Sequence, residues 1–125
     1  MAWTTVGKRL ASGGSANYAL KISKNEKDKL SFTLDPTLMK LLGWQNGCYV
    51  VFVMDKIEGL GGIKLSGKQE GLKLANTNKR SQLCTVRFKA KKLVRDRCVN
   101  GQARELSMDE LIIDEDNGIV AFETI

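Results

Sequence analysis

The sequence predicts a mainly β protein with one or two short helices, and three observations carry that expectation. Apolar and polar residues alternate in short runs such as Tyr18, Leu20, Ile22 against Ala19, Lys21, Ser23, which is the period of a half-buried strand. Polar or glycine-containing stretches separate those runs, as hairpin turns do. The chain's single proline stands in Asp35-Pro36-Thr37, the one strong helix-start signal.

Residues 1–17 read as an appended N-terminal arm. Residues 3–10 have the pattern of a short strand, and Ala11-Ser12-Gly13-Gly14-Ser15-Ala16-Asn17 is a small-residue connector. Either Trp3 anchors this arm to the body, or Lys8 and Arg9 let it sample a phosphate backbone. From Tyr18 onward a first strand runs to Ser23, a polar loop covers residues 24–28, and Leu30, Phe32 and Leu34 mark a second strand. The two most simply pair antiparallel. Asp35 then supplies a capping acceptor and Pro36 sits at the first helical position, where its missing N–H costs nothing. Leu38, Met39, Leu41 and Leu42 form the apolar face, and Gly43 stands where a left-handed terminator belongs. Such a helix has about two turns and must be held by packing. After the Gln45-Asn46-Gly47 turn, residues 48–55 read as a buried strand, and Ile63-Lys64-Leu65 closes a second hairpin.

The same order is then expected again. Leu72-Lys73-Leu74 resembles Leu20-Lys21-Ile22, and Cys84, Val86 and Phe88 lie 54 positions beyond Leu30, Phe32 and Leu34. A basic segment at residues 89–97 takes the place of the helix, with Leu93 and Val94 as its apolar anchors. Leu111-Ile112-Ile113-Asp114 has the character of the 51–55 strand, and an Asp116-Asn117-Gly118 turn leads into a returning strand at residues 119–122. The expected organisation is one β-rich domain over residues 18–125, made of pseudo-repeats at 18–67 and 71–123. The competing reading is a mixed sheet whose hairpins look alike because hairpins do.

At 125 residues, 42% hydrophobic and a mean hydropathy of −0.22, the chain can bury a core as one domain. No apolar run approaches the roughly 18 residues that a membrane-spanning helix needs, and residues 1–5 do not open an export signal. A cytoplasmic protein with no membrane association is therefore expected. Histidine is absent, which removes Ser-His-Asp triads, Cys-His dyads and histidine-ligated metals from this chain. Cys48, Cys84 and Cys98 show no Cys-x-x-Cys spacing and are expected to act as small hydrophobes; only Cys98 has a cation, Arg97, beside it. Asp114, Glu115 and Asp116 fit a solvated turn better than a cation site, and no glycine run matches a phosphate-cradling motif. No enzymatic activity, cofactor or metal is expected.

Charge is the most informative number. The 20 lysines and arginines all lie at or before Arg104 together with seven acids, a net of +13, whereas the last 21 residues carry seven acids and no base. Residues 79–104 hold nine cations and the single acid Asp96. A field of that density attracts polyanions; the bland reading is that it keeps the chain soluble while the two ends neutralise each other.

Residues 29–65 resemble the AbrB/MazE-type swapped-hairpin DNA-binding modules. The likeness rests on a strand ending in an apolar residue and a proline, a short helix closing in Leu42-Gly43-Trp44, and the loop glycine Gly47. A Val-rich strand to Asp55 and the return Gly62-Ile63-Lys64-Leu65 complete it. The modules usually carry a Gly-Arg pair before the strand into the helix; here Asp28-Lys29 and Ser81-Gln82 stand there, and Ala90 is expected opposite Pro36. The resemblance implies a small swapped-hairpin-like β-barrel built from two strand-strand-helix-strand-strand modules. Both copies would lie in one chain, as in the duplicated MraZ-like form, with basic residues of leading strands and loops along DNA. A monomer with internal pseudo-twofold symmetry and a homodimer are both open.

The candidate nucleic-acid-binding residues are Lys21, Lys24, Lys27 and Lys29 in the first copy and Lys79, Arg80, Arg87 and Lys89 in the second. Arg87 points opposite to Val86 and Phe88, so it is expected exposed on an anchored strand. Lys91, Lys92, Arg95 and Arg97 either extend the patch or form a solvated helix face. Single-stranded partners are less favoured because Phe32, Phe52, Phe88 and Phe122 fall at inward positions rather than offering stacking platforms. The expected function is a small double-stranded DNA-binding transcriptional regulator. The alternative is a protein-binding module, antitoxin-like or inhibitory, that docks through the acidic segment 105–116.

Overall fold

In the computed structural model, residues 18–25, 27–76 and 82–124 are described. The N-terminal arm expected at residues 1–17, and Lys79 and Arg80, lie outside them. The elements run β1 (Leu20–Lys24), β2 (Lys29–Leu34), α1 (Pro36–Leu42), β3 (Cys48–Asp55), β4 (Leu60–Ser66), β5 (Leu72–Asn76), β6 (Cys84–Lys89), α2 (Lys92–Cys98), β7 (Arg104–Leu106), a 3-10 turn (Met108–Glu110), β8 (Ile112–Asp114) and β9 (Ile119–Glu123). The mainly β class with two short helices is thus observed. Neither helix is long and apolar enough to cross a membrane.

All nine strands join one antiparallel sheet in the order β7-β1-β2-β6-β5-β3-β4-β9-β8. Its two edge strands, β7 and β8, are neighbours in the chain, separated only by residues 107–111. Laid flat, edges eight spacings apart would sit about 38 Å from each other, whereas six residue steps reach at most about 21 Å. The sheet therefore curls into a half-barrel. The strand at Arg104–Leu106 was not anticipated from the sequence, because three residues with one apolar member carry no period.

The curl creates the core. Alternation sends Leu20, Ile22, Leu30, Phe32, Leu34, Val50, Ile63, Val120 and Phe122 to the concave side, where each is fully buried. Phe32 is the hub: its ring centroid lies 5.7 Å from those of Phe52 and Phe88 and 6.0 Å from that of Phe122. These are the four phenylalanines expected inward. Gly62 permits close approach of β4 and β9, since a Cβ there would stand 2.8 Å from the Val120 carbonyl oxygen.

Helix α1 follows local rules. The Asp35 carboxylate accepts from the Thr37 N–H at 3.0 Å, and Pro36 opens the helix. Gly43, at φ 73°, closes it with Gly43 N–H to Lys40 O and Trp44 N–H to Met39 O. Leu38 and Met39 enter the core. Helix α2 breaks those rules. Lys91 occupies the N-cap and makes no side-chain capping bond, and the C-cap Val99 is extended. Of the two anchors expected on α2, Val94 packs on the core, but Leu93 is 72% exposed. The reason is helical period: Cys98 lies four residues after Val94 on the buried face, while Asp96 and Arg97 follow Leu93.

Candidate nucleic-acid interface

The convex side of the β2–β6 pair carries a row of cations without acidic partners among the described residues. Alternation that buries Leu30, Phe32, Val86 and Phe88 turns Lys29, Ser31, Thr33, Thr85, Arg87 and Lys89 outward. The register sets Lys29 opposite Lys89, Ser31 opposite Arg87 and Thr33 opposite Thr85. Lys29, Arg87 and Lys89 are exposed, as is Lys27 in the turn that leads into β2. The small hydroxyls opposite and beyond Arg87 keep the row low, with the Thr33 and Thr85 oxygens 3.4 Å apart. Among the described residues none of these four cations has an acidic partner. Like charges placed directly across two strands are destabilising, so the Lys29–Lys89 pair is held against a local electrostatic cost.

Of the six sequence-expected residues that are described, the structure brings together four, Lys27, Lys29, Arg87 and Lys89. Lys21 faces outward on β1 but pairs in register with Glu105, which dilutes its field. Lys24 falls on the same row as Leu20 and Ile22, and its Nζ meets Asp96 Oδ1 at 2.9 Å. That hydrogen bond, more than the surrounding charge, holds the Asp96 carboxyl below its ordinary value.

Arg95 is not part of any patch. It is 8% exposed, its Nη1 donates to the Asn25 carbonyl oxygen at 2.6 Å, and it lies 3.5 Å from Asp28 Oδ1 and, through Nε, 3.6 Å from Asp96 Oδ1. The guanidinium ties α2 to the β1–β2 turn. Its signal in the sequence is position: Arg95 shares a helical face with Cys98 and Val99, where a cation must find partners. Lys91 and Lys92 are exposed just after the Lys89 end of β6, and Arg97 is exposed in the last turn of α2.

The remaining chemistry is quiet. Cys98 is fully buried, and that burial pushes its thiol up to about 11 despite the opposing charges of Arg104 and Arg97. Cys48 and Cys84 are raised by burial as well. Among the described residues no three acidic or thiol side chains gather as a metal site. The acidic segment is partly consumed locally. Glu110 accepts from the Ser107 N–H and hydroxyl, and Asp114 accepts from the Asn117 backbone and side-chain amides, which lowers its pKa. Compared with known proteins, the chain matches no family model, no curated protein and no solved structure.

Proposed function

We propose that this chain is a small double-stranded DNA-binding protein of the regulator type, which lays the convex β2–β6 face along the phosphate backbone. The observation that carries the reading is the cross-strand Lys29–Lys89 pair with Arg87 two residues along the same row, all exposed and without an acidic partner among the described residues. A polyanion converts that like-charge cost into binding by releasing condensed counterions. Arg87, fixed between Val86 and Phe88 on a paired strand, is preorganised for two-pronged contact with a phosphate or a guanine edge.

The finer architecture belongs to the same proposal: two interlocked copies of one swapped-hairpin-like module. The registers support it. Leu30 pairs with Phe88 and Leu34 with Cys84, and advancing each first-copy residue by 54 while setting its partner back by 54 exchanges these pairs. β1 maps onto β5 by 52 positions, Leu20 to Leu72 and Lys24 to Asn76. The two helices are seven residues each and 56 apart, so Lys92 rather than Ala90 stands opposite Pro36. β3, one continuous strand that pairs with both β5 and β4, corresponds to β7 and β8, which pair with β1 and β9 and are split by the 3-10 turn.

A fluorescence titration against duplex DNA at about 50 mM and about 200 mM salt tests the function. Binding at micromolar protein or below is expected, weakening steeply with salt. Exchanging Arg87 and Lys89 for Ala should lower the slope of log K against log salt by about two. Absence of binding at the lower salt would sink the reading, and an unchanged slope would remove these two residues from the interface.

A further inference from the structure

Two surfaces outside the proposed DNA face are complementary. The first is the start of α2. Lys91 and Lys92 occupy the N-cap and first helical position, where a cation opposes the helix dipole and an acceptor is normally preferred. Between them and the rest of the helix, Leu93 projects 72% exposed. An uncapped, cationic helix start that shows a leucine to water breaks three local rules at once without gain to the fold. Rule-breaking of that kind marks surfaces kept for something else.

The second surface is a cleft of about 450 Å³ between β7, the 3-10 turn, β8 and β9, lined by Arg104, Leu106, Asp109, Glu110, Ile112 and Glu123. Leu106 and Ile112 supply apolar wall, and Asp109, Glu110 and Glu123 are exposed carboxylates. The one cation, Arg104, is directed inward: its Nη1 donates to the Cys98 and Glu123 carbonyl oxygens, and its guanidinium lies over the Phe122 ring at 5.7 Å. Glu110 is spent on capping Ser107, whereas Asp109 and the Glu123 carboxylate hold no hydrogen bond or ion pair among the described residues.

We infer that the chain self-associates by seating the Leu93 knob of one copy, with Lys91 and Lys92 on either carboxylate of the rim, in the acidic cleft of a second copy. The lopsided charge of the sequence then acquires a use, since the basic majority of one molecule meets the acidic end of another. Among the described residues Ile57 is also strongly exposed but is less suited, because its β3–β4 turn mixes Lys56 with Asp55 and Glu58. This inference does not rest on DNA binding, as Lys29, Arg87 and Lys89 take no part in it.

The test is analytical ultracentrifugation of the full chain without nucleic acid. At about 50 mM salt the weight-average mass should exceed 13.8 kDa and rise with concentration, then return to the monomer value near about 500 mM salt. The Lys91→Glu/Lys92→Glu and Asp109→Lys/Glu123→Lys variants should each associate about tenfold more weakly or worse. Mixing them restores opposite charge across the contact and should restore association. Far-UV circular dichroism keeps the comparison to folded protein; the Lys91 and Lys92 changes place acids at a helix start, which favours the helix. Ile57→Ala and the Arg87/Lys89 double-alanine variant should associate as the unaltered chain does. A monomer at low salt, a mixture that stays monomeric, or loss of association in Ile57→Ala would each overturn the assignment.

Discussion

The two helix corners of this molecule solve one problem in opposite ways. Each is a seven-residue helix, too short to persist alone, set over the end of a hairpin. At α1 the solution is local: Asp35 caps, Pro36 opens, Gly43 closes, and Met39 faces the core. Between α1 and the β5–β6 pair lies a cleft of about 590 Å³, lined among the described residues by Met39, Trp44 and Gln82 with others. At α2 neither terminus carries a side-chain cap or a left-handed terminator, and the helix is instead tied down by Arg95, which binds Asn25 and Asp28. Lys24 and Asp96 add a second tie. A helix can be specified by its own caps or by ions brought from distant parts of the chain, and only the first device is visible within the segment.

The largest effect that would break this contrast is at Arg95. Arg95→Ala should cost about 2–3 kcal/mol in urea denaturation, because it removes a mostly buried guanidinium whose charge-assisted bonds tie α2 to Asn25, Asp28 and Asp96. Arg95→Met, which keeps an unbranched apolar stem on the buried face of α2, should recover more than half of that loss through packing. Equal destabilisation by Ala and Met would mean that packing contributes nothing there. Next comes the α1 cap: Asp35→Ala should cost about 1 kcal/mol, and Asp35→Ser distinctly less. A neutral Asp35→Ala would show that α1 too is held by tertiary packing alone.

The smallest effects concern pH. Asp96 and Asp114 titrate below their ordinary value of 3.8 in the folded chain. Their stabilisation is complete above that value and is lost as pH falls below it, so acid unfolding midpoints measured by circular dichroism should shift upward in Asp96→Asn. Cys98 acts at the other end: with a folded value of about 11 against about 9 unfolded, its contribution should be flat below pH 9 and lower stability between 9 and 11. Cys98→Ala should flatten that alkaline decline.

The α1 corner was legible because Asp35-Pro36 and Leu42-Gly43 state start and stop within nine residues. The β2–β6 face was legible in part. Alternation alone places Arg87 and Lys89 on one side of a strand, but only the pairing register sets Lys29 against Lys89. The partner of Lys24 was not legible, because alternation, which puts it with Leu20 and Ile22, says nothing of a distant Asp96 that takes up its ammonium. Leu93 was misassigned as an anchor although nothing apolar follows it at the next turn, a signal the sequence did contain.

What the chain determined by itself is the β class, the strand faces, the capped first helix and the crowding of cations ahead of residue 105, because each depends on neighbours within a few positions. Which cations stay free, which are neutralised, how the sheet curls back upon itself and where the acidic end lies were decided only by tertiary structure. Charges act through space over several ångströms, and strand pairing joins residues more than fifty positions apart, so neither distance can be read along the chain.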